Sequence, residues 1–178
     1  MTPYLTDVTA VSAGLLIGRL VLGLLMAAHG SQKLLGWFGG HGLAGTSGFF
    51  DALGFRPGRL FATMASSTEI VSGLLVALGL LGPIGPALML AVMIVAAMTV
   101  HWKNGLFAAT NGIELPLLFA AGAFALALTG PGRFSLDALL GLQALWTPAV
   151  EWIALALAIV GGIVHLALRR PSPPARTA

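Results

Sequence analysis

Residues 13–34 read AGLLIGRLVLGLLMAAHGSQKL, an apolar run interrupted by Arg19, His29 and Lys33. A bilayer core about 30 Å thick takes about 20 apolar residues as a helix, and this run has that length. At 100° per residue the three interruptions fall on an arc of about 80°, with Met26 on the same face. A polar stripe on an otherwise apolar helix belongs against other helices rather than lipid. The stretch therefore reads as one membrane-crossing element of a helical bundle.

Four more stretches follow the same pattern: residues 60–81, 84–102, 113–128 and 148–168. Gly82-Pro83-Ile84-Gly85-Pro86 reads as a tight turn, with the third helix starting inside it because proline fits a first helical turn. Thr129-Gly130-Pro131-Gly132 ends the fourth. A reading with four crossings would leave 148–168 outside the bilayer, yet that stretch carries one charge, Glu151, near its start. The expected architecture is all-α: a polytopic membrane bundle over residues 1–140, an additional transmembrane helix within 141–170, and a disordered polar tail over 171–178. Before Arg19 the only charge is Asp7, so the N-terminus lacks the basic region of a secretory signal, and the first helix is expected to stay in place.

Composition agrees. The chain has 178 residues, 57% hydrophobic and 8% charged, with a mean hydropathy of +0.95. Soluble domains carry about 25% charged residues, so this chain cannot cover a water-facing surface. The net charge of +3 has no basic run long enough for nucleic acid. With no cysteine there is no disulfide relay, no thiolate nucleophile and no cysteine-ligated cluster. Placing the N-terminus outside puts Lys33, Arg56, Arg59, Lys103, Arg169, Arg170 and Arg176 on the cytoplasmic side, with Arg133 opposite, which sets the expected orientation and a cytoplasmic C-terminus.

Two loops are expected to hold short helices. One begins with Thr46 or Ser47 as N-cap and ends near Gly54; its phenylalanines suggest an interfacial or re-entrant segment. The other has Ser135 as N-cap and lies on the outer surface. Trp146 and Trp152 fit an interfacial aromatic belt. Gly14 and Gly18 on the first helix, and Ala154, Ala158 and Gly162 on the last, are small-residue stripes that admit close helix packing. The last could dock on this bundle or on a second subunit.

Ionisable residues inside spans mark candidate sites. In the expected topology His29, Lys33, His101, Lys103, Asn104, Asn111 and Glu114 all fall toward the cytoplasmic end, and Glu69 lies a few ångströms deeper at about 1.5 Å per residue. Arg19 falls toward the outer half, about 10 Å from Glu69 along the normal on the same rise, and is an ion-pair candidate. Structural alternatives stand beside each. Lys33 and Lys103 can snorkel from helix ends. Glu69 can pair with Arg19, Lys33 or His29. His165 and His41 read as interfacial and loop residues. No spacing motif supports a metal site built from His29, His101, Glu69 and Glu114.

These residues also form a pattern. Gly18-Arg19-Leu20-Val21-Leu22-Gly23, Ala28-His29-Gly30-Ser31-Gln32-Lys33-Leu34, Glu69 with Gly73, His101-Trp102-Lys103-Asn104-Gly105-Leu106-Phe107, Asn111-Gly112-Ile113-Glu114-Leu115-Pro116 and Thr129-Gly130-Pro131-Gly132-Arg133-Phe134 occur in order. Together they resemble the DoxX family of small bacterial and archaeal membrane proteins over about Leu15 to Leu140. The resemblance implies a four-helix core in a bacterial inner membrane, and the helix after Trp146 departs from it. One founding member is similar to a subunit of a membrane thiosulfate:quinone oxidoreductase, so the resemblance implies a redox-associated subunit.

Three functions are then open. The polar cluster of His29, Lys33, Glu69, His101, Asn104, Asn111 and Glu114 binds a quinone or similar ligand, with electrons supplied by a redox partner protein. Alternatively the cluster is structural and the chain is a scaffold docking a partner or a second copy. Third, the chain carries a small molecule, although it lacks the internal repeat of many transporters. Apart from the lipid bilayer, no partner is named by the residues alone.

Overall fold

The computed structural model describes residues 8–170; Asp7 and the tail expected over 171–178 lie outside them. Seven α-helices follow in order: α1 Val8–Leu35, α2 Gly42–Leu53, α3 Gly58–Leu78, α4 Ile84–Ala96, α5 Glu114–Thr129, α6 Leu136–Leu139 and α7 Pro148–Ala167. A π-helical stretch, Ala97–His101, and a 3-10 turn, Trp102–Asn104, prolong α4. α1, α3, α4 with its extension, and α7 are each long and apolar enough to cross a membrane. α5, also expected as a crossing, has 16 residues and so spans about 24 Å, short of a full bilayer core. Ile17, Leu24, Leu117, Leu157 and Ile163 project outward from the bundle. An apolar exterior on helices of this length is that of a multi-pass membrane protein.

α1 and α3 form the spine, and glycine sets their separation. A Cβ on Gly23 would lie 2.5 Å from the Ala77 nitrogen and the Gly73 oxygen; one on Gly30 would lie 2.6 Å from the Ser66 oxygen. Backbone meets backbone there, as small residues allow. The sequence reading pointed instead to Gly14 and Gly18, but a Cβ at either meets nothing within 4 Å. Their spacing has the right form, yet their side of α1 carries no neighbour.

α7 packs on its own bundle. Leu155, Ala158 and Gly162 are buried, and a Cβ on Gly162 would come within 3.1 Å of Ile94 on α4. At its end the Arg169 side chain donates to the Leu53 carbonyl, and the Arg170 N–H donates to the Gly54 carbonyl at 2.8 Å. The small-residue stripe thus closes an internal contact.

α2 starts four residues before Thr46, with His41 at its N-cap. Thr46 is instead buried and donates to the Lys33 carbonyl at 3.0 Å, while Ser47 donates to Leu43 O at 2.6 Å. Both hydroxyls satisfy existing helix carbonyls, so neither acts as a cap. Gly54, at φ 93°, ends α2 as expected. Ser135 does cap α6, its Oγ accepting from Ala138 N at 3.2 Å.

Candidate functional site

Lys33 and Glu69 form a salt bridge. The antiparallel spine explains the meeting. Helical side chains lean toward their own N-terminus. Lys33, near the end of α1, leans back along that helix, and Glu69 on α3 leans the opposite way, toward Lys33. Glu69 is 1% exposed and Lys33 36%. One glutamate oxygen, Oε1, takes the ammonium; Oε2 is buried with no hydrogen-bond partner among the described residues.

Both residues border a cavity of about 720 Å³. The end of α1, α2, α3, α4 with its extension, and α7 supply its walls, through Gln32, Phe49, Phe50, Ala65, Val92 and Gly161 among others. The lining is mostly apolar, and its polar side chains are few: Gln32, Lys33, His41, Thr46, Thr68, Glu69, Thr99, His101 and His165. Thr68 and Thr99 donate to carbonyls of their own helices, Met64 O and Val95 O. A ligand therefore meets mainly the ion pair, three imidazoles and the Gln32 amide. An apolar pocket with a few convergent polar groups is the usual form of a small-molecule site.

Of the candidates from sequence, the structure brings Lys33, Glu69 and His101 to this cavity. His29 is not among its lining; its ring stands edge-on to Phe119 of α5, centroids 5.9 Å apart. Asn104, Asn111 and Glu114 also lie off the cavity, in a network that closes the segment before α5. Asn104 Nδ2 donates to Val100 O and Asn111 O, both at 3.1 Å. His101 Nδ1 shares the Asn111 carbonyl at 2.9 Å. Glu114 Oε2 accepts from Ala108 N at 2.6 Å. Asn104 and Glu114 share a depth with the cavity but spend side-chain polar atoms on backbone, and Asn111 takes part through its own carbonyl.

Arg19 pairs with no carboxylate within 4 Å among the described residues, so the expected ion pair is absent. Its guanidinium lies against Gly79, at the turn between α3 and α4, where it donates to Phe134 O. That level is ten residues along α3 from Glu69, about 15 Å by helical rise and beyond the depth the sequence suggested.

His165 was read from sequence as interfacial. It lines the cavity and packs against Phe55 and Phe61, centroids 5.3 and 5.2 Å away. Its place on α7 with Gly161 and Gly162, one turn apart, was a face signal once α7 was known to dock inward. Asp137 was also missed: it is fully buried and accepts from Leu81 N, Gly82 N and Trp146 Nε1 at 2.9, 2.6 and 2.8 Å. Trp146, expected in an aromatic belt, is held by that carboxylate.

No curated protein and no solved structure matches the chain. The DoxX family model matches residues 14–102, half of the chain. The match takes in Arg19, Lys33, Glu69 and His101; α5 and α7, with His165, lie beyond it. Most of α1, all of α2, α3 and α4, and the buried pair fall within the matched segment, and the chain belongs to the DoxX family.

Proposed function

We infer that this chain is a multi-pass subunit of a redox-linked complex in a bacterial inner membrane, and that its cavity holds a quinone or a similar amphiphile. One observation carries the reading: a half-satisfied carboxylate, Glu69, stands beside an ammonium on the wall of an apolar cavity. A quinone ring has oxygens that accept from Lys33 or an imidazole, and its apolar body suits the phenylalanines and aliphatic walls. The reduced ring has hydroxyls that donate to Glu69 Oε2. The bound group would supply the electron chemistry; the chain binds it, excludes water and holds a proton acceptor at Glu69. Without cysteine the chain has no cysteine-ligated cluster, so electrons come from a bound cofactor or a partner protein.

The test is the lipid extract of protein purified in mild detergent, analysed by mass spectrometry. We expect stoichiometric quinone with the wild type and at least a fivefold loss in Glu69→Gln, where the amide cannot accept as a carboxylate does; hydrogen bonds to charged groups contribute about 1.5–3 kcal/mol. The Thr99 hydroxyl bonds only its own helix, so Thr99→Phe keeps the fold while narrowing the cavity, and it should lower the bound quinone as well. Wild-type protein free of quinone, copurifying with a partner protein, would sink this reading in favour of a scaffold.

A further inference from the structure

At the opposite end of the bundle Arg19 is 2% exposed, and its Nε and Nη1 have no hydrogen-bond partner among the described residues. A guanidinium carries five N–H donors, and among the described residues only Nη2 is used, on Phe134 O. Asp137, the acid in the neighbouring segment, already accepts from Leu81, Gly82 and Trp146. A buried cation with free donors calls for an anion.

A shallow pocket of about 490 Å³ lies beside it, lined by Arg19 and Arg133 together with Leu16, Leu78, Phe134 and Leu139. Among the described residues its lining includes two cations and no acid. α3 ends at Leu78, α4 begins at Ile84 and α5 ends at Thr129, so the pocket sits at the level where the helices leave the apolar layer. Lipid headgroups lie at that level. Leu139 is 79% exposed beside the two arginines, an apolar surface next to a cationic one.

We propose that this pocket binds a phosphate group, with Arg19 as its buried cation, Arg133 at its rim and the leucines against an adjoining acyl chain. Guanidinium is suited to phosphate because its planar fork matches two oxygens at once. The phosphate can belong to a phospholipid or be free in solution. This site is separate from the cavity and stands whether or not the cavity holds a quinone.

Arg133→Gln is the decisive variant, because Arg133 is exposed and its loss leaves the buried residues untouched. The full chain is reconstituted in phosphatidylcholine vesicles containing phosphatidylglycerol, re-extracted gently, and its retained lipid counted by native mass spectrometry. We expect one phosphatidylglycerol on the wild type and about fivefold less on Arg133→Gln, the factor for one basic side chain at a membrane surface. Delipidated protein is then heated with and without inorganic phosphate. Stabilisation of the wild type alone, without lipid preference, assigns the site to free phosphate. Equal lipid retention and equal response to phosphate in wild type, Arg133→Gln and Arg19→Lys would overturn the proposal.

Discussion

Lys33→Met is expected to lower the unfolding free energy of the detergent-solubilised protein by about 3 kcal/mol, the low end for breaking a buried ion pair from one side. Glu69 is 1% exposed and its carboxylate has a single partner among the described residues, so the substitution leaves it buried with none of them. The low end applies because Lys33 is 36% exposed and part of its charge is already solvated. The reverse change is milder. In Glu69→Gln the lysine can extend toward the interface, so about 1 kcal/mol is expected, the size of a net hydrogen bond. The double variant removes both charges and should recover most of the loss, costing about 1 kcal/mol, which is a coupling of about 3 kcal/mol in the cycle. Equal, additive costs for the two single variants would mean that Lys33 snorkels and that Glu69 has another partner. The measurement is thermal or denaturant unfolding followed by tryptophan fluorescence in one detergent.

That pair shows how far sequence alone reaches. Depth is legible along an apolar helix, since each residue advances about 1.5 Å and the turns mark the ends. So Lys33 and Glu69 were placed near one level, and Glu69 was linked to Lys33 among three possible partners. Azimuth within one helix is legible too, and it grouped Arg19, His29 and Lys33. The rotation of one helix against the next is what the sequence leaves open. Gly23, Gly30 and Gly73 set it by backbone contact, and the result turns His29 to Phe119 while Lys33 meets the cavity. Asn104, Asn111 and Glu114 shared the depth, but the side chains of Asn104 and Glu114, beside a broken helix, satisfy the local backbone first. α7 was legible as a crossing from its length; that it brings His165 to the cavity depended on Gly162 seating against Ile94.

Asp137→Ala is expected to cost more, about 4 kcal/mol, because two backbone N–H groups and an indole N–H lose one shared acceptor at 1–3 kcal/mol each, with some recovered by water. The turn it holds is strained. Leu81 sits at φ 61°, where an L-residue costs about 1–2 kcal/mol relative to its usual conformation. Hydrogen bonds from Leu81 N and Gly82 N to the carboxylate keep the chain there. The third bond, from Trp146, ties on the segment that leads into α7. One carboxylate therefore joins the α3–α4 turn, α6 and the approach to α7, so its loss should loosen three elements together. Asp137→Asn keeps the shape but puts an amide N–H₂ where a donor already points, so it should still cost about 2 kcal/mol. Should Asp137→Ala fail to accumulate, Trp146→Phe removes one donor and its bond, and is expected to cost about 1.5 kcal/mol as a hydrogen bond to a charged acceptor. Leu81→Gly relieves the positive φ and should restore about 1 kcal/mol to Asp137→Asn. Unfolding of Asp137→Asn and Trp146→Phe within 0.5 kcal/mol of wild type, a margin typical of surface substitutions, would show that the carboxylate is hydrated and bears no structure.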